Sequence, residues 1–209
     1  MAKKIFLLLV AIALFLPVAS FAAEEPALKG AFTRVHGKAF KFDGKTVEVM
    51  EFMSFFCGGC YKFESSVPVI KGNFPKKIKW KIVPVNWGDS SPKPAEAFFL
   101  AEEAGKGEEM KKALFNAYFV QRRDIGSFEV LESLAAELGL GFDFSRKLRG
   151  GEKSAEARKA LEMAREYRVE GTPTIVIAGN LMTNPHETGD NLDAFRKNAI
   201  TIIKSILEK

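Results

Sequence analysis

Cysteine is scarce in this sequence: Cys57 and Cys60 are the only two among 209 residues. The dense disulfide framework that holds small secreted domains together is therefore excluded. Histidine is equally rare, and His36 and His186 stand far from the cysteines without the spacing of a zinc site. The two cysteines nevertheless lie only two residues apart, so this pair is the feature that a functional interpretation has to explain.

Further absences narrow the class of protein. Basic residues form only short pairs, such as Lys76-Lys77 and Arg122-Arg123, so nucleic acid is not an expected partner despite a net charge of +5. There is no internal repeat and no low-complexity segment. The apolar run over residues 5–16 has 12 residues, which is short of the roughly 20 that a membrane-spanning helix needs.

That apolar run has the setting of a secretory signal peptide. Two lysines precede it, Pro17 ends it, and Ser20 and Ala22 supply small residues before a cleavage site. The sequence thus predicts a signal peptide over residues 1–22, cleaved after Ala22, with an uncleaved membrane anchor as the alternative. Cleavage leaves 209 − 22 = 187 residues and, after the loss of two lysines, a net charge of +3. This length suits one domain, or one domain with an insertion.

Hydrophobic periodicity predicts an α/β protein. Alternating segments rich in β-branched and aromatic residues indicate strands, and apolar residues at three- and four-residue steps indicate helices separated by glycines. The predicted elements are a short edge strand at 39–42, a strand at 46–53, a helix after Cys57 kinked at Pro68, a strand at 78–85, a helical block at 92–167, two strands within 172–182 and a helix at 192–207.

The cysteine pair stands at the first junction between a strand and a helix. The first turn of a helix carries unpaired amide groups and a positive dipole end, which stabilise a thiolate at Cys57. The thiolate is the reactive form of cysteine. Cys60 follows one turn later on the same side, where it can attack a mixed disulfide formed at Cys57. The pattern favours dithiol–disulfide exchange, with Cys57 attacking and Cys60 resolving.

Three other interpretations of the pair compete with this one. A purely structural disulfide would close a loop of two residues and would add little stability, because stabilisation grows with loop length. Half of a zinc site would need further ligands that the sequence does not place nearby. Two unrelated buried thiols are a poor fit to an exported chain. Redox chemistry explains the pair better than any of these.

Two segments carry a resemblance to a known family. The segment "FMSFFCGGCYKFE" and the later "VEGTPT" resemble the active-site segment and the cis-proline loop of DsbA-type thiol–disulfide oxidoreductases, which belong to the thioredoxin superfamily. The resemblance covers nearly the whole chain after the signal peptide. It implies an α/β thioredoxin-like fold, a central mixed β-sheet flanked by helices, with an inserted α-helical subdomain. The thioredoxin-like domain would consist of residues 23–91 and 168–209, and the inserted helical subdomain of residues 92–167.

The resemblance also implies roles for individual residues. Pro173 would be cis and would pack beside Cys57, and Thr172 would offer its backbone to an extended substrate peptide. Without the cysteines, Gly-Thr-Pro-Thr would equally fit an ordinary turn before a strand. Phe56 would belong to an apolar surface that binds substrate, although most aromatic residues are expected in the core.

Glu51 is the remaining candidate catalytic residue. In the family a buried acid lies near the resolving thiol, and such an acid could move a proton to or from Cys60. A solvated strand face is the alternative for Glu51. The family often pairs this acid with a lysine on the next strand, but the alignment places Ile82 there, and the neighbouring Lys81 points the other way.

The sequence departs from the best-known members of the family between the cysteines. Those members carry Pro-His, whereas this chain has Gly58 and Gly59. The histidine that would help to stabilise the thiolate is missing, and glycine lets the helix start fray. We therefore expect the pKa of Cys57 to be higher, and the couple less oxidising, than in Pro-His members.

The functional expectation is an exported, periplasmic enzyme that donates disulfides to reduced proteins. It would use no cofactor or metal, act as a monomer, and be re-oxidised by a membrane partner of the quinone-linked type, as in the family. A disulfide isomerase or reductase using the same pair is the main alternative. A non-catalytic binding module is a second alternative. The kappa-class transferase and isomerase branch, which uses glutathione, is a third, but it needs neither this thiol pair nor a signal peptide.

Overall fold

A five-stranded mixed sheet forms the centre of the protein. The computed structural model describes residues 28–208, so the predicted signal peptide lies outside the described residues. The strand order is β1-β5-β4-β2-β3, in which β2 and β3 are parallel and all other neighbours antiparallel. The strands are β1 (Thr33–Arg34), β2 (Val47–Met53), β3 (Ile78–Pro84), β4 (Thr174–Ile177) and β5 (Leu181–Thr183).

Eight α-helices surround or extend this sheet among the described residues. Five of them follow one another between β3 and β4, where the sequence predicted a helical block. The helices are α1 (Gly58–Phe63), α2 (Ser66–Asn73), α3 (Lys93–Glu103), α4 (Gly107–Phe115), α5 (Phe128–Glu137), α6 (Gly141–Arg149), α7 (Ser154–Glu166) and α8 (Leu192–Leu207). A π-helical turn, Asn116–Val120, continues α4, and a 3₁₀ turn, Pro185–Thr188, precedes α8. The α/β thioredoxin-like architecture and the order of elements are confirmed; the domain boundaries stay a prediction.

Strand β2 places the cysteine pair. Six of its seven residues are buried and only Glu48 is exposed, as expected for a central strand covered on both faces. It pairs with β3 on one side and with β4 on the other. Its C-terminal end leads through residues 54–56 to Cys57, so the cysteines follow a buried strand that is paired on both sides.

The edge strand was predicted in the wrong place. Residues 39–42 have no strand structure, and the edge strand is Thr33–Arg34, paired with β5. Lys41 makes a single backbone bond, from its N–H to the carbonyl of Ala178 at 2.8 Å. The phenylalanines on either side of it, Phe40 and Phe42, pack on the core. Their alternation therefore reflects apolar packing and not a ladder of strand hydrogen bonds.

The helix after Cys57 is interrupted near Pro68, as predicted. Helix α1 ends at Phe63 and α2 begins at Ser66. Proline has no N–H and its ring clashes with the carbonyl four residues earlier, here that of Glu64. The break falls at that residue.

One apolar core joins the sheet to the helical block. Met53, Phe55 and Ile82 from the sheet region pack in the same cluster as Phe98 and Phe115 from α3 and α4. Met50 and Met53 are both buried, as expected for strand positions. Among residues 28–208, no helix is long and apolar enough to cross a membrane.

Candidate active site

Cys57 is the N-cap of α1 and is half-buried. Its sulfur accepts a hydrogen bond from the backbone N–H of Cys60 at 3.3 Å, and its thiol donates to the carbonyl oxygen of Thr172 at 3.1 Å. Cys60 is buried one turn further along the helix, and both cysteines are free thiols. The structure therefore brings together the attacking and resolving cysteines and the Thr172 backbone.

The surroundings shift the acidity of the two thiols in opposite directions. The hydrogen bond from the Cys60 side chain is the largest effect on Cys57. Together with hydrogen bonds from the Thr172 side chain and from the backbone of Cys60 and Gly59, it outweighs burial and lowers the pKa of Cys57 to about 6. Burial dominates at Cys60 and raises its pKa well above the usual range of a thiol. At neutral pH, Cys57 is thus the thiolate and Cys60 the protonated partner.

The loop before β4 covers one side of the pair. The Thr172–Pro173 peptide bond is cis, and the Thr174 hydroxyl donates to the Gly171 carbonyl at 2.8 Å, which closes the turn. A Cβ placed on Gly59 would lie 3.2 Å from Cδ of Pro173. The second glycine therefore leaves room for the proline beside the cysteine pair.

Glu51 is buried, which excludes the solvated strand face. The indole N–H of Trp80 donates to its Oε2 at 2.8 Å, and Oε1 has no hydrogen-bond partner. Burial is the main reason that the pKa of Glu51 is raised to about 7. Ile82 is its partner in the β2–β3 register, as aligned. No hydrogen bond joins the Glu51 carboxyl to either cysteine within residues 28–208, so its proton-transfer role stays a prediction.

The cation near this acid comes from the helical block, and sequence reasoning missed it. Lys111 of α4 has a side chain that is 2% exposed, with its Nζ 3.1 Å from Glu64 Oε1 and 3.1 Å from Glu108 Oε2. Burial opposes its charge, but the carboxylates of Glu64, Glu51 and Glu108 outweigh burial and raise the pKa of Lys111. The one available signal was its position three and four residues before Leu114 and Phe115, on the apolar face of the helix.

Aromatic side chains line the other side of the pair. Phe56 is half-buried and meets Tyr118 edge to face at a centroid distance of 5.1 Å. Tyr61 stacks on Phe119 at 4.8 Å, with 11° between the ring planes. Phe55 is buried among Phe98 and Phe115 and belongs to the core. Trp87 is partly buried against a second core cluster. The substrate-binding role of Phe56 stays a prediction.

The described residues contain no group of three or more His, Cys, Asp and Glu side chains that could hold a metal ion. A nucleophilic thiolate and a second thiol one turn away are the groups that dithiol–disulfide exchange uses.

Fold and site together define a thioredoxin-fold protein with an exchange-competent dithiol, and comparisons with known proteins give the family. The model of the DSBA-like thioredoxin domain matches residues 75–197, more than half of the chain. The chain belongs to this family and is a thiol–disulfide oxidoreductase.

Relatives and solved structures agree with that assignment. The thiol:disulfide interchange protein DsbA of Haemophilus influenzae is 28% identical over 213 residues, which cover 99% of this chain and 100% of that protein. A crystal structure of a Pseudomonas aeruginosa DsbA variant has a TM-score of 0.74 at 18% identity and covers 88% of this chain and 100% of its own. A Proteus mirabilis DsbA, solved with a non-covalently bound peptide, has a TM-score of 0.66 at 16% identity over 88% of this chain and 100% of its own. These two structures support the fold.

Proposed function

We propose that this protein donates disulfides to reduced, exported proteins in the periplasm. The observation that carries the proposal is the opposite shift of the two thiols: the pKa of Cys57 is lowered to about 6, whereas that of Cys60 is raised. Stabilising one thiolate stabilises the reduced form of the pair, which makes its disulfide a stronger oxidant. The lowered pKa also makes Cys57 a good leaving group when the oxidised substrate is released.

The reaction uses the oxidised pair. A substrate thiolate attacks the Cys57 sulfur, the Cys57–Cys60 bond breaks, and Cys60 leaves as a thiolate that takes up a proton. A second substrate thiolate then attacks the substrate sulfur of the mixed disulfide and expels Cys57 as the stabilised thiolate. Two electrons pass from the substrate dithiol to the protein, and the substrate gains one disulfide.

Other residues have supporting roles in this proposal. The Thr172 backbone pairs with an extended substrate segment, as in strand addition, and Pro173 lines the approach to Cys57. Glu51 supplies or accepts the proton that Cys60 exchanges. The peptide bound in the Proteus mirabilis structure supports a polypeptide as the substrate class.

Repeated turnover needs an oxidant. We assign that role to a membrane partner that passes the two electrons to a quinone, and we expect the exported protein to act as a monomer. The signal peptide would direct the chain to the periplasm, and cleavage after Ala22 would release the mature protein there.

The test is the equilibrium potential of the Cys57–Cys60 couple in the mature protein, measured against a glutathione series. A potential clearly more oxidising than the glutathione pool supports disulfide donation. A potential near that of thioredoxin, about −270 mV, would replace the proposal with a reductase or isomerase. The Cys57→Ser variant is the control, because a non-catalytic binding module would keep its function without this thiol.

A further inference from the structure

A cavity of about 300 Å³ lies beside the cis-proline loop. Residues 170–174 line it on one side, and residues 184–186, where the 3₁₀ turn before α8 begins, line it on the other. We call this space the loop cavity. It shares Thr172 and Pro173 with the active site, and the carbonyl oxygen of Thr172 lies 3.1 Å from the Cys57 sulfur. The cavity therefore adjoins the loop that contacts the reactive thiol.

Polar side chains line the loop cavity, and three of them have partners within the protein. The Thr174 hydroxyl donates to the Gly171 carbonyl at 2.8 Å. On the other side, Oδ1 of Asn184 accepts from the N–H of His186 at 2.9 Å. The imidazole of His186 in turn has its Nδ1 2.5 Å from Oδ1 of Asp190. These contacts hold both sides of the cavity in place.

Glu170 is the exception among these polar side chains. Within residues 28–208 its carboxylate forms no hydrogen bond and no ion pair, and Arg168, the nearest cation along the chain, does not pair with it. The segment 168–191 contains three acidic residues and one arginine, a net charge of −2 with His186 neutral, whereas the whole chain carries +5. The loop cavity thus presents an uncompensated carboxylate in a negatively charged stretch of a basic protein.

A substrate segment that pairs with the Thr172 backbone has to pass this cavity. In strand addition the main-chain hydrogen bonds supply affinity, and pockets for alternate side chains supply specificity. On the opposite side of the cysteine pair, Cε1 of Phe119 would lie 3.8 Å from a Cβ placed on Gly58. The space for a substrate side chain is therefore on the side of the loop, where the charge of Glu170 acts on it.

We propose that the loop cavity receives a basic side chain from a residue next to the reacting cysteine of the substrate, and that Glu170 selects it. This inference rests on the proposed function, because the exchange reaction brings the neighbours of the substrate cysteine to the loop. Lysine and arginine suit the site because they form charge-assisted hydrogen bonds with a carboxylate. Glu170 is exposed, so the preference is modest, roughly twofold to fivefold, and falls as salt screens the charges.

The experiment compares matched dithiol peptides that carry Lys, Ser or Glu beside the first cysteine. One series places this residue before the cysteine and a second series places it after. The second-order rate constant for oxidation by the oxidised mature protein is measured at low and at high salt. Each value is divided by the rate with bis(hydroxyethyl) disulfide, which is uncharged, because a basic neighbour also lowers the pKa of the peptide thiol. In one series we expect the order Lys, Ser, Glu, with Lys about twofold to fivefold above Ser at low salt.

Variants of Glu170 assign the preference to this carboxylate. Glu170→Gln should bring the ratio of Lys to Ser close to one, and Glu170→Lys should favour the Glu peptide. Glu170→Asp retains the charge and should retain a preference for Lys, which separates loss of charge from loss of folding. The matched control is Glu162→Gln, because Glu162 is exposed on α7 and lies outside the cavity. It changes the net charge equally and should leave the ratio unchanged.

The outcomes distinguish the two proposals. Equal normalised rates for the Lys, Ser and Glu peptides in both series would overturn charge selection and leave disulfide donation intact. A preference that Glu162→Gln lowers as much as Glu170→Gln does would also overturn it, because the overall charge of the protein would then be the cause. If the wild-type protein oxidises none of the peptides, disulfide donation itself fails, and the loop cavity loses its role with it.

Discussion

Each thiol of the pair takes its acidity from particular neighbours. Three hydrogen bonds lower the pKa of Cys57: those of the Cys60 side chain, the Cys60 N–H and the Thr172 side chain. Cys60, in contrast, is enclosed by the core. No histidine stands between the cysteines, so the stabilisation comes from hydrogen bonds made by the pair itself and by the loop. This explains how a Cys-Gly-Gly-Cys segment holds a reactive thiolate at neutral pH.

The pH dependence of alkylation tests this explanation. We expect the rate of Cys57 with iodoacetamide to rise with a midpoint at about pH 6, because only the thiolate reacts. Cys60→Ala removes the side-chain hydrogen bond and should move the midpoint upward, whereas Cys60→Ser retains a donor and should move it less. A midpoint at the ordinary value of a free thiol, about 8.5, would contradict the geometry. A midpoint near 4 would contradict the expected effect of the glycines.

Glu51 makes stability depend on pH in a defined direction. Its pKa is about 7 in the folded protein and 4.5 in the reference state, so the folded form binds more protons between these values. Stability then falls as pH rises through this window and stays lower above it. Glu51→Gln removes this effect, and its stability relative to wild type should increase by up to about 3 kcal/mol between pH 4.5 and pH 8.

Urea unfolding of both proteins at the two pH values measures this difference. Glu48→Gln is the matched control, because Glu48 is the exposed residue of the same strand, and it should retain the pH dependence of the wild type. A difference between Glu51→Gln and wild type that does not change with pH would mean that Glu51 is ionised in the folded protein throughout this range.

At the scale of elements, helix α4 holds the active-site helix by charge. Lys111, whose side chain is buried, forms an ion pair with the partly buried Glu64, the residue that follows α1. Removing one partner of a buried pair leaves the other charge uncompensated, which costs about 3–5 kcal/mol. We expect Lys111→Met to lose this amount at pH 7.5 and less at pH 5, where the Glu64 carboxyl, whose pKa is raised chiefly by burial, begins to take up a proton.

The neighbouring lysine provides the control. Lys112 is exposed on the same helix, so Lys112→Met should stay within about 0.5 kcal/mol of wild type. Equal urea midpoints for the two variants would show that the buried ion pair adds nothing to stability.

The elements also show where sequence-based prediction succeeds. Strand β2, the cysteine pair and α8 follow from local periodicity, and their bounds fall within a residue of those predicted. Lys111 could not be found in this way, because its burial depends on Glu64, which is 47 positions away in the chain. The π-helical turn, which positions Phe119 beside Gly58, was missed because a helical pattern does not reveal an inserted residue. The prediction of a strand at 39–42 was wrong for the opposite reason. The local alternation of this segment matches a strand, but β5 pairs with Thr33–Arg34 instead.

At the scale of the whole molecule, the helical block and the sheet share one core. Phe115 of α4 is buried against Phe55, two residues after the end of β2, with ring centroids 5.5 Å apart. Phe115 also contacts the ring of Tyr61 of α1. A shared core predicts that the two parts unfold together, although the resemblance describes one as an insertion into the other. The site lies at their junction, so this coupling also keeps the aromatic side chains of the helical block in place beside Cys57.

Two probes report the two parts separately. The protein has two tryptophans, Trp80 and Trp87, and both lie outside the helical block, so fluorescence follows the sheet region. Ellipticity at 222 nm follows mainly the helices, five of which belong to the block. We expect both signals to give the same urea midpoint, since coincident transitions mark a single cooperative unit.

Phe115→Ala tests the coupling directly. Removing this buried ring should cost about 3–5 kcal/mol and should lower both midpoints equally, because the cavity opens at the shared core. Phe142→Ala, which changes an exposed residue of the same block, should move neither midpoint by more than the equivalent of about 0.5 kcal/mol. If Phe115→Ala shifts the ellipticity transition and leaves the tryptophan transition in place, the block unfolds by itself. The aromatic residues near Cys57 would then depend on a separate folding equilibrium.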